Sequence, residues 1–186
     1  METKTRCAWC EKDDLYRNYH DNEWGKPVYD DDTIFEFLIL ETFQAGLSWY
    51  TILAKRENFR RAFDQFDYKK IANYSEIKMT ELVEDVGIIR NKLKIKATVS
   101  NAQAFIKVQE EFGSFSKYIW GFVDGKPIDN KPKSLTEVPA TTVISDALSK
   151  DLKKRGFKFT GSTVMYAHMQ ATGMVNDHIT ECFTRK

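Results

Sequence analysis

Five of the six cysteine and histidine side chains in this 186-residue chain lie within its first 20 or its last 9 positions. Cys7, Cys10 and His20 stand near one end, and His178 and Cys182, in "MVNDHITEC", near the other. A structural zinc takes four Cys or His ligands in a closed tetrahedron. A site drawing on both ends would force the terminal segments together and fix the outermost closure of the fold. His178 and Cys182 are four residues apart, so a helix here would project both from one face. Candidates to complete the set are Cys7, Cys10, His20 and His168. The Cys7–Cys10 pair is a C-x-x-C, a moderate zinc signal by itself. His20 sits in "NYHDNEWG", a segment suited to a loop or a helix end, whereas His168 in "VMYAHMQ" reads as a satisfied core histidine. Spacing alone leaves equally open that all of these are unrelated buried side chains.

Three cysteines make a poor disulfide framework. No apolar run approaches the roughly 20 residues that span a bilayer, and "METKTRCAWCEKDD" is unlike a signal peptide. These features predict a soluble, cytoplasmic protein with reduced cysteines, no membrane partner and a monomeric state.

Apolar residues recur at helical spacing along most of the chain, which predicts an all-α fold in one domain over residues 1–186. "DDTIFEFLILETFQAG" (31–46) opens on acidic residues and stops at Gly46. Residues 47–66 continue as one or two helices, with "YKKIANY" and "SEIKMTELVED" as short ones. "RNKLKIKATVSNAQAFIKVQEEFG" (90–113) is a long helix ending at Gly113. Residues 124–142 hold three of the four prolines and read as an ordered loop. "SDALSKDLKKRG", "GSTVMYAHMQATG" and "VNDHITEC" complete the pattern as three closely spaced helices. No alternating strand pattern of useful length and no internal repeat is present.

Charge is unevenly placed. Residues 1–45 carry eleven Asp and Glu against five Lys and Arg, leaving 16 acidic and 23 basic residues for the rest. The basic residues gather in "KRENFRR" (55–61), "RNKLKIK" (90–96) and "KDLKKRGFK" (150–158). Such clusters mark either solvated helix surface or a phosphate-binding face.

The runs "RCAWC", "DDLYRNYHDNEWG", "LETFQAGLSW", "VGIIRNKLKI", "SDALSKDLKKRGFKFTG" and "VNDHITEC" together resemble the 3-methyladenine DNA glycosylase I family, within the helix–hairpin–helix glycosylase superfamily. The matches run in one order from Cys7 to Cys182. The resemblance implies one structural zinc on Cys7, His20, His178 and Cys182, joining the terminal segments in a small lobe beside the helical core. Cys10 is then an extra thiol and the competitor of Cys7.

The resemblance also implies a base pocket. Glu41 would be its acceptor and catalytic carboxylate, Trp49 its stacking face, and Tyr16, Tyr19 and Trp24 its further walls. Against this, the tryptophans could be core residues and Glu41 a surface residue of its helix. An unpaired carboxylate between "FLIL" and "TFQAGLSW" would, however, be costly. "QAGLSW" offers Gly46 for close backbone approach to DNA and Leu47 as a wedge, or equally as a core residue. "LKKRGFKFTGSTVMYA" would be the phosphate-binding hairpin, with Gly156, Lys158, Gly161, Ser162 and Thr163 as contacts. The tight Gly-x-Gly of the superfamily is missing from it.

In "VNDH", Asn176 stands where superfamily members place a catalytic aspartate, and Asp177 is turned by about 100° from it on a helix. The family shares this pattern, which limits the chemistry to bases that leave readily. The resemblance thus implies a monofunctional glycosylase of base excision repair. It would flip 3-methyladenine out of double-stranded alkylated DNA and hydrolyse its N-glycosidic bond, releasing free 3-methyladenine and leaving an abasic site. A non-catalytic damage-binding module on the same fold is the main alternative. A zinc hydrolase is more distant, because four protein ligands leave no position open for water.

Overall fold

The computed structural model describes residues 4–185. Its centre is α2 (Asp31–Gln44), whose apolar residues face every direction rather than one, and nine of its residues from Ile34 to Phe43 are buried. A helix apolar all round requires neighbours on all sides. These are α3 (Trp49–Ala54), α7 (Lys92–Phe112), α8 (Phe115–Trp120) and α10 (Ser162–Ala171). Further out lie α1 (Asp14–Asn22), α4 (Arg56–Ala62), α5 (Tyr68–Ile71), α6 (Glu76–Glu84) and α9 (Val143–Lys154), the last packed along α10. No described helix is long and apolar enough to cross a membrane.

Local chemistry sets the helix ends. Asp13, Asp30, Ser48, Ser75, Asn91 and Ser114 each accept a bond from a first-turn amide of the helix that follows. Thr142 and Ser145 form a reciprocal box at the start of α9. Gly113 closes α7 in the left-handed conformation, as its sequence position predicts. Periodicity missed two helices, α1 and α8, both short.

"VNDHITEC" is not a helix. Val175–Asn176 pairs in parallel with Ile128–Asp129 as β2 and β1, and the chain then turns irregularly to Cys182. Three features oppose a helix here. Gly173 holds φ +67°, the β-branched Val175, Ile179 and Thr180 follow it, and the Asp177 carboxylate is taken by Asn130 (2.7 Å), Tyr166 (2.6 Å) and Gln170 (2.8 Å). The same contacts order the proline-rich segment, as expected.

Two apolar clusters result. The larger unites α2 with α3–α10. The smaller gathers Cys7, Tyr19, Trp24, Phe37, Leu53, Ala171 and Cys182, with Trp9, Tyr16 and Trp49 at its edge. The strap from Gly25 to Val28 joins them, bonded to the end of α10 through Gly25 N–Gln170 O (2.9 Å) and Val28 N–Thr172 O (3.0 Å). Gly173 must be glycine at this joint. A Cβ there would stand 2.2 Å from the Lys26 carbonyl carbon and 2.4 Å from Pro27 N. Gly173→Ala is expected to lower stability by at least about 3 kcal/mol, combining overpacking with a left-handed alanine. Urea unfolding of the variant at the parental midpoint would show that the strap can yield.

Candidate functional site

A cleft of about 280 Å³ opens between the two clusters, lined by Trp9, Tyr16, Tyr19, Trp24, Glu41, Gln44, Trp49, Leu135, Val138, Ala167 and Gln170. Every residue that the sequence nominated for a base pocket is here. The aromatic wall is a connected set: Trp9 meets Tyr16 and Trp24 edge-on at centroid distances of 4.9 and 5.0 Å, and Tyr19 meets Trp49 at 5.4 Å. Trp9 is thus the hub of the wall, and sequence reading gave it no role. Its one signal was its place in "RCAWC", next to two candidate ligands. Gln44, Leu135, Val138 and Gln170 carried no signal at all.

Two polar groups in this cleft have no partner among the described residues. Glu41 is 3% exposed, and its Oε2 and the indole N–H of Trp49 are both buried without a hydrogen bond. Burial pushes the Glu41 carboxyl up to about 8. The Trp49 ring packs against both clusters while still lining the cleft. Buried polar atoms are nearly always satisfied, so two orphans in one cavity point to a polar ligand.

His168 differs from expectation. It is fully buried, but no described protein group bonds either ring nitrogen, and burial drives it down to about 3, hence neutral. It lines no part of the cleft.

Behind the cleft, Cys7, His20, His178 and Cys182 converge, all buried, with one ligand atom from each within 4.8 Å of the others. His178 Nδ1 lies 3.2 Å from His20 Nε2, 3.7 Å from Cys7 Sγ and 3.5 Å from Cys182 Sγ, and the last is 3.5 Å from His20 Nε2. Each imidazole has its other nitrogen engaged, His20 Nδ1 on Asp21 (2.8 Å) and His178 Nε2 on the Trp24 carbonyl (3.0 Å). Outer partners of this kind orient metal-binding imidazoles. Burial raises the Cys7 thiol and lowers His20, and brings His178 down to about 4. A cation at this point would favour the thiolate and neutral-imidazole forms that ligation needs. The group could hold a metal ion. His178 and Cys182 meet through the turn Cys182 N–Ile179 O (2.9 Å), not along a helix face. Cys10 faces away from the group, its Sγ donating to the Cys7 carbonyl at 3.1 Å. Asn176 accepts from His178 N (3.2 Å) and Arg185 (3.3 Å) and supports this turn; it does not line the cleft.

A second cleft, of about 230 Å³, shares Glu41, Gln44 and Ala167 with the first and continues to Ala45, Gly46, Leu47, Thr163 and Val164. Gly46 has φ +83° with nothing near its missing Cβ, and Leu47 is 40% exposed, so Leu47 is no core residue. In the turn between α9 and α10, Gly156 has φ +95°, Lys158 is exposed, and Ser162 Oγ lies 2.8 Å from Ser145 Oγ. Gly161 opens α10 without a side-chain cap, leaving the first-turn amides uncapped, and Thr163 beside it is exposed.

The basic runs are not one phosphate face. Arg56 is buried between Glu23 and Glu36, Arg60 binds Glu36 and Glu57, and Arg155 binds Asp151 and Glu111. Glu57 and Asp151 lie within the runs themselves, but Glu23, Glu36 and Glu111 stand 20 to 44 residues from the arginines they bind, which is why the runs looked unpaired. Lys153, Lys154 and Lys158 stay exposed.

The family pattern described as methyladenine glycosylase matches residues 9–185. The chain is 49% identical over 177 residues to DNA-3-methyladenine glycosylase 1 of Escherichia coli K12, covering 95% of each chain. It is similar to a crystal structure of 3-methyladenine DNA glycosylase I with 51% identity and a TM-score of 0.93, over 96% of this chain and 98% of that one. It is also similar, at 37% identity and a TM-score of 0.94, to the Staphylococcus aureus 3-methyladenine DNA glycosylase I solved to explain 3-methyladenine recognition, over 97% and 96% of the two chains.

The position of Glu41 has a consequence for stability. Its folded value near 8 lies above the ordinary 4.5, so the folded state retains a proton that the unfolded chain gives up. Stability therefore falls as pH rises from about 4.5 to about 8, by about 1.4 kcal/mol for each unit of displacement. Glu41→Gln is expected to remove most of this decline, to the gain of several kcal/mol at pH 8.5 relative to the parent. Parallel stability–pH curves for the two proteins would contradict the assignment.

Proposed function

This chain belongs to the methyladenine glycosylase family, and on that footing we propose that it is a single-domain, monomeric DNA glycosylase that excises 3-methyladenine from alkylated duplex DNA. The observation that carries the reading is the pair of unpartnered polar atoms, Glu41 Oε2 and Trp49 Nε1, in an aromatic cleft. A neutral apolar ligand would leave Glu41 unsatisfied. A flat cation bearing an amine would satisfy it, convert it to carboxylate and sit against the electron-rich faces of the wall.

An adenine methylated at N3 within DNA is such a cation. Cleavage breaks the bond between C1′ and the base nitrogen, the electron pair passes to the base, and the base departs neutral without prior protonation. Positive charge develops on the sugar, and water adds at C1′ with loss of a proton, leaving an abasic site and an intact backbone. The chain's own part is to hold the flipped base, with Trp49 stacking and Glu41 accepting from the exocyclic amine, and to favour charge loss from the ring. No separate general acid is required, consistent with Asn176 at the position where other superfamily members carry aspartate. Leu47 at its exposed turn is the wedge, and the α9–α10 turn with the α10 amides, Lys158 and Thr163 forms the phosphate-binding hairpin.

We assign zinc to the Cys7–His20–His178–Cys182 group. Zn–N near 2.0–2.1 Å and Zn–S near 2.3 Å place tetrahedral N···N edges at about 3.3 Å and N···S edges at about 3.6 Å. The distances of 3.2 Å and 3.5–3.7 Å fit. Four protein ligands make the ion structural, joining the terminal segments. Metal analysis should find one zinc per chain, lost in Cys182→Ala and kept in Cys10→Ala. A protein purified without chelator and found free of zinc would reject the assignment.

Glu41→Gln should slow single-turnover excision of 3-methyladenine and weaken binding of the free base. Affinity for abasic DNA should be preserved, because that product has no base to meet residue 41. Excision at the parental rate would sink the pocket assignment. Binding of methylated DNA by the parent without release of base would favour the non-catalytic alternative.

A further inference from the structure

α7 carries a polar seam on its buried face. Lys94, Thr98 and Asn101 are 6%, 0% and 0% exposed, at positions where a helix packed on a core would ordinarily place apolar side chains. Burying such groups is unfavourable unless each is paired, and the identity of the partners is the informative point. Lys94 Nζ donates to the carbonyls of Phe43 (2.8 Å) and Ala45 (2.7 Å), at the C-terminal end of α2. Gly46 and Leu47 follow directly, and Leu47 N closes the turn on Gln44 O at 2.6 Å. The amide of Asn101 grips one residue from both sides: its Oδ1 accepts from Lys158 N at 2.8 Å, and its Nδ2 donates to Lys158 O at 3.1 Å. Thr98 hydroxyl bonds the Lys94 carbonyl at 2.9 Å and fills the seam between them.

Residues 94 and 101 are seven apart, so they share one face to within about 20° and lie about 10 Å apart along the axis. One rigid helix thus holds two surface turns that are separated by more than a hundred residues of sequence. Lys94 completes two carbonyls that the end of α2 leaves unpaired and sets a positive charge at the negative end of that helix. Asn101 holds the residue just before Phe159, which stands at φ +58° and is 38% exposed. A left-handed phenylalanine is unfavourable and persists only where its surroundings dictate it. Ser149 Oγ secures the other side of that residue through the Thr160 carbonyl at 2.6 Å.

We propose that Lys94 and Asn101 are positioning residues that set the spacing between the Leu47 turn and the Lys158–Phe159 turn, so that wedge and phosphate grip engage one DNA duplex together. The inference rests on the reading of both turns as DNA-facing. Neither residue touches the base pocket: neither lines the cleft that holds Glu41 and Trp49.

The test is titration of an abasic-site duplex against Lys94→Met, Asn101→Ala, Leu47→Ala, Lys158→Ala and the two paired doubles, with free 3-methyladenine binding measured on each. Lys94→Met and Asn101→Ala should each lose roughly tenfold or more in duplex affinity, while free-base binding stays within about twofold. If Asn101 acts through the Lys158 turn, Lys158→Ala should cost little more once Asn101→Ala is present, and the same should hold for Leu47→Ala in the Lys94→Met background. Should either variant fail to fold, Asn101→Ser and Lys94→Arg keep part of the hydrogen bonding and should show intermediate losses. Full duplex affinity in Lys94→Met and Asn101→Ala, or additive losses in the doubles, would overturn the proposal. Unchanged affinity in Leu47→Ala and Lys158→Ala would instead remove the DNA-facing reading on which it rests.

Discussion

The convergence of Cys7, His20, His178 and Cys182 is the constraint on which the cleft depends. Trp9, Tyr16, Tyr19 and Trp24 all come from residues 7–24, interleaved with two of the four converging side chains. They belong to the smaller apolar cluster, which also contains Cys7 and Cys182 themselves. Polar contacts extend the clasp outward: Arg6 binds Asp21 at 2.8 Å, and Asp21 accepts from His20. Loss of the clasp would therefore release the aromatic wall while leaving the larger core around α2 in place. A side-chain cluster outside the cleft can in this way decide whether a binding site exists.

Within the cleft, the free energy that favours a ligand is already visible as unmet hydrogen bonding. Glu41 is charged in water and driven toward the neutral acid by burial, so a partner that restores its charge recovers part of the desolvation cost. His168 shows why cavity access matters to this argument. It is as buried and as unpartnered as Glu41, yet it lines no part of the cleft, and a ligand there has no way to reach it.

The helices were legible in the sequence where periodicity and caps agreed, as in α2 and in α7 with Gly113 behind it. The candidate ligands and pocket aromatics were legible through their order along the chain, and the structure brings them together. The failures have a common cause, which is that their determinants are distant in sequence. "VNDHITEC" has helical spacing, but Asp177 takes bonds from Asn130, Tyr166 and Gln170, and Val175 pairs with Ile128. "KRENFRR" looks like a free basic run because Glu23 and Glu36, which neutralise Arg56, precede it by 33 and 20 residues. Lys94 was read within a basic run and is instead a buried cap on another helix. Leu47 was left open between core and surface because the neighbouring letters do not reveal which side of a turn faces solvent.

α2 explains why these parts act as one. Glu41, Gln44 and Leu47 follow at intervals of three residues, the first two shared by both clefts, the third exposed just beyond the helix end. A helix rises about 1.5 Å per residue, so the group that would meet the base and the group that would fill the vacated stack are held within about two turns of each other. Glu41 cannot shift alone, since α2 is buried on every side, and the turn that carries Leu47 is tied to the end of α2 through Lys94. Adaptability must then come from the less enclosed Leu135–Val138 lining, while the distance between base recognition and wedge stays fixed. On the proposed reading, a base that does not travel the full distance from the stack never reaches Glu41. Selectivity for a weakened, cationic nucleotide would then arise partly from geometry, because such a nucleotide leaves its stack at lower cost.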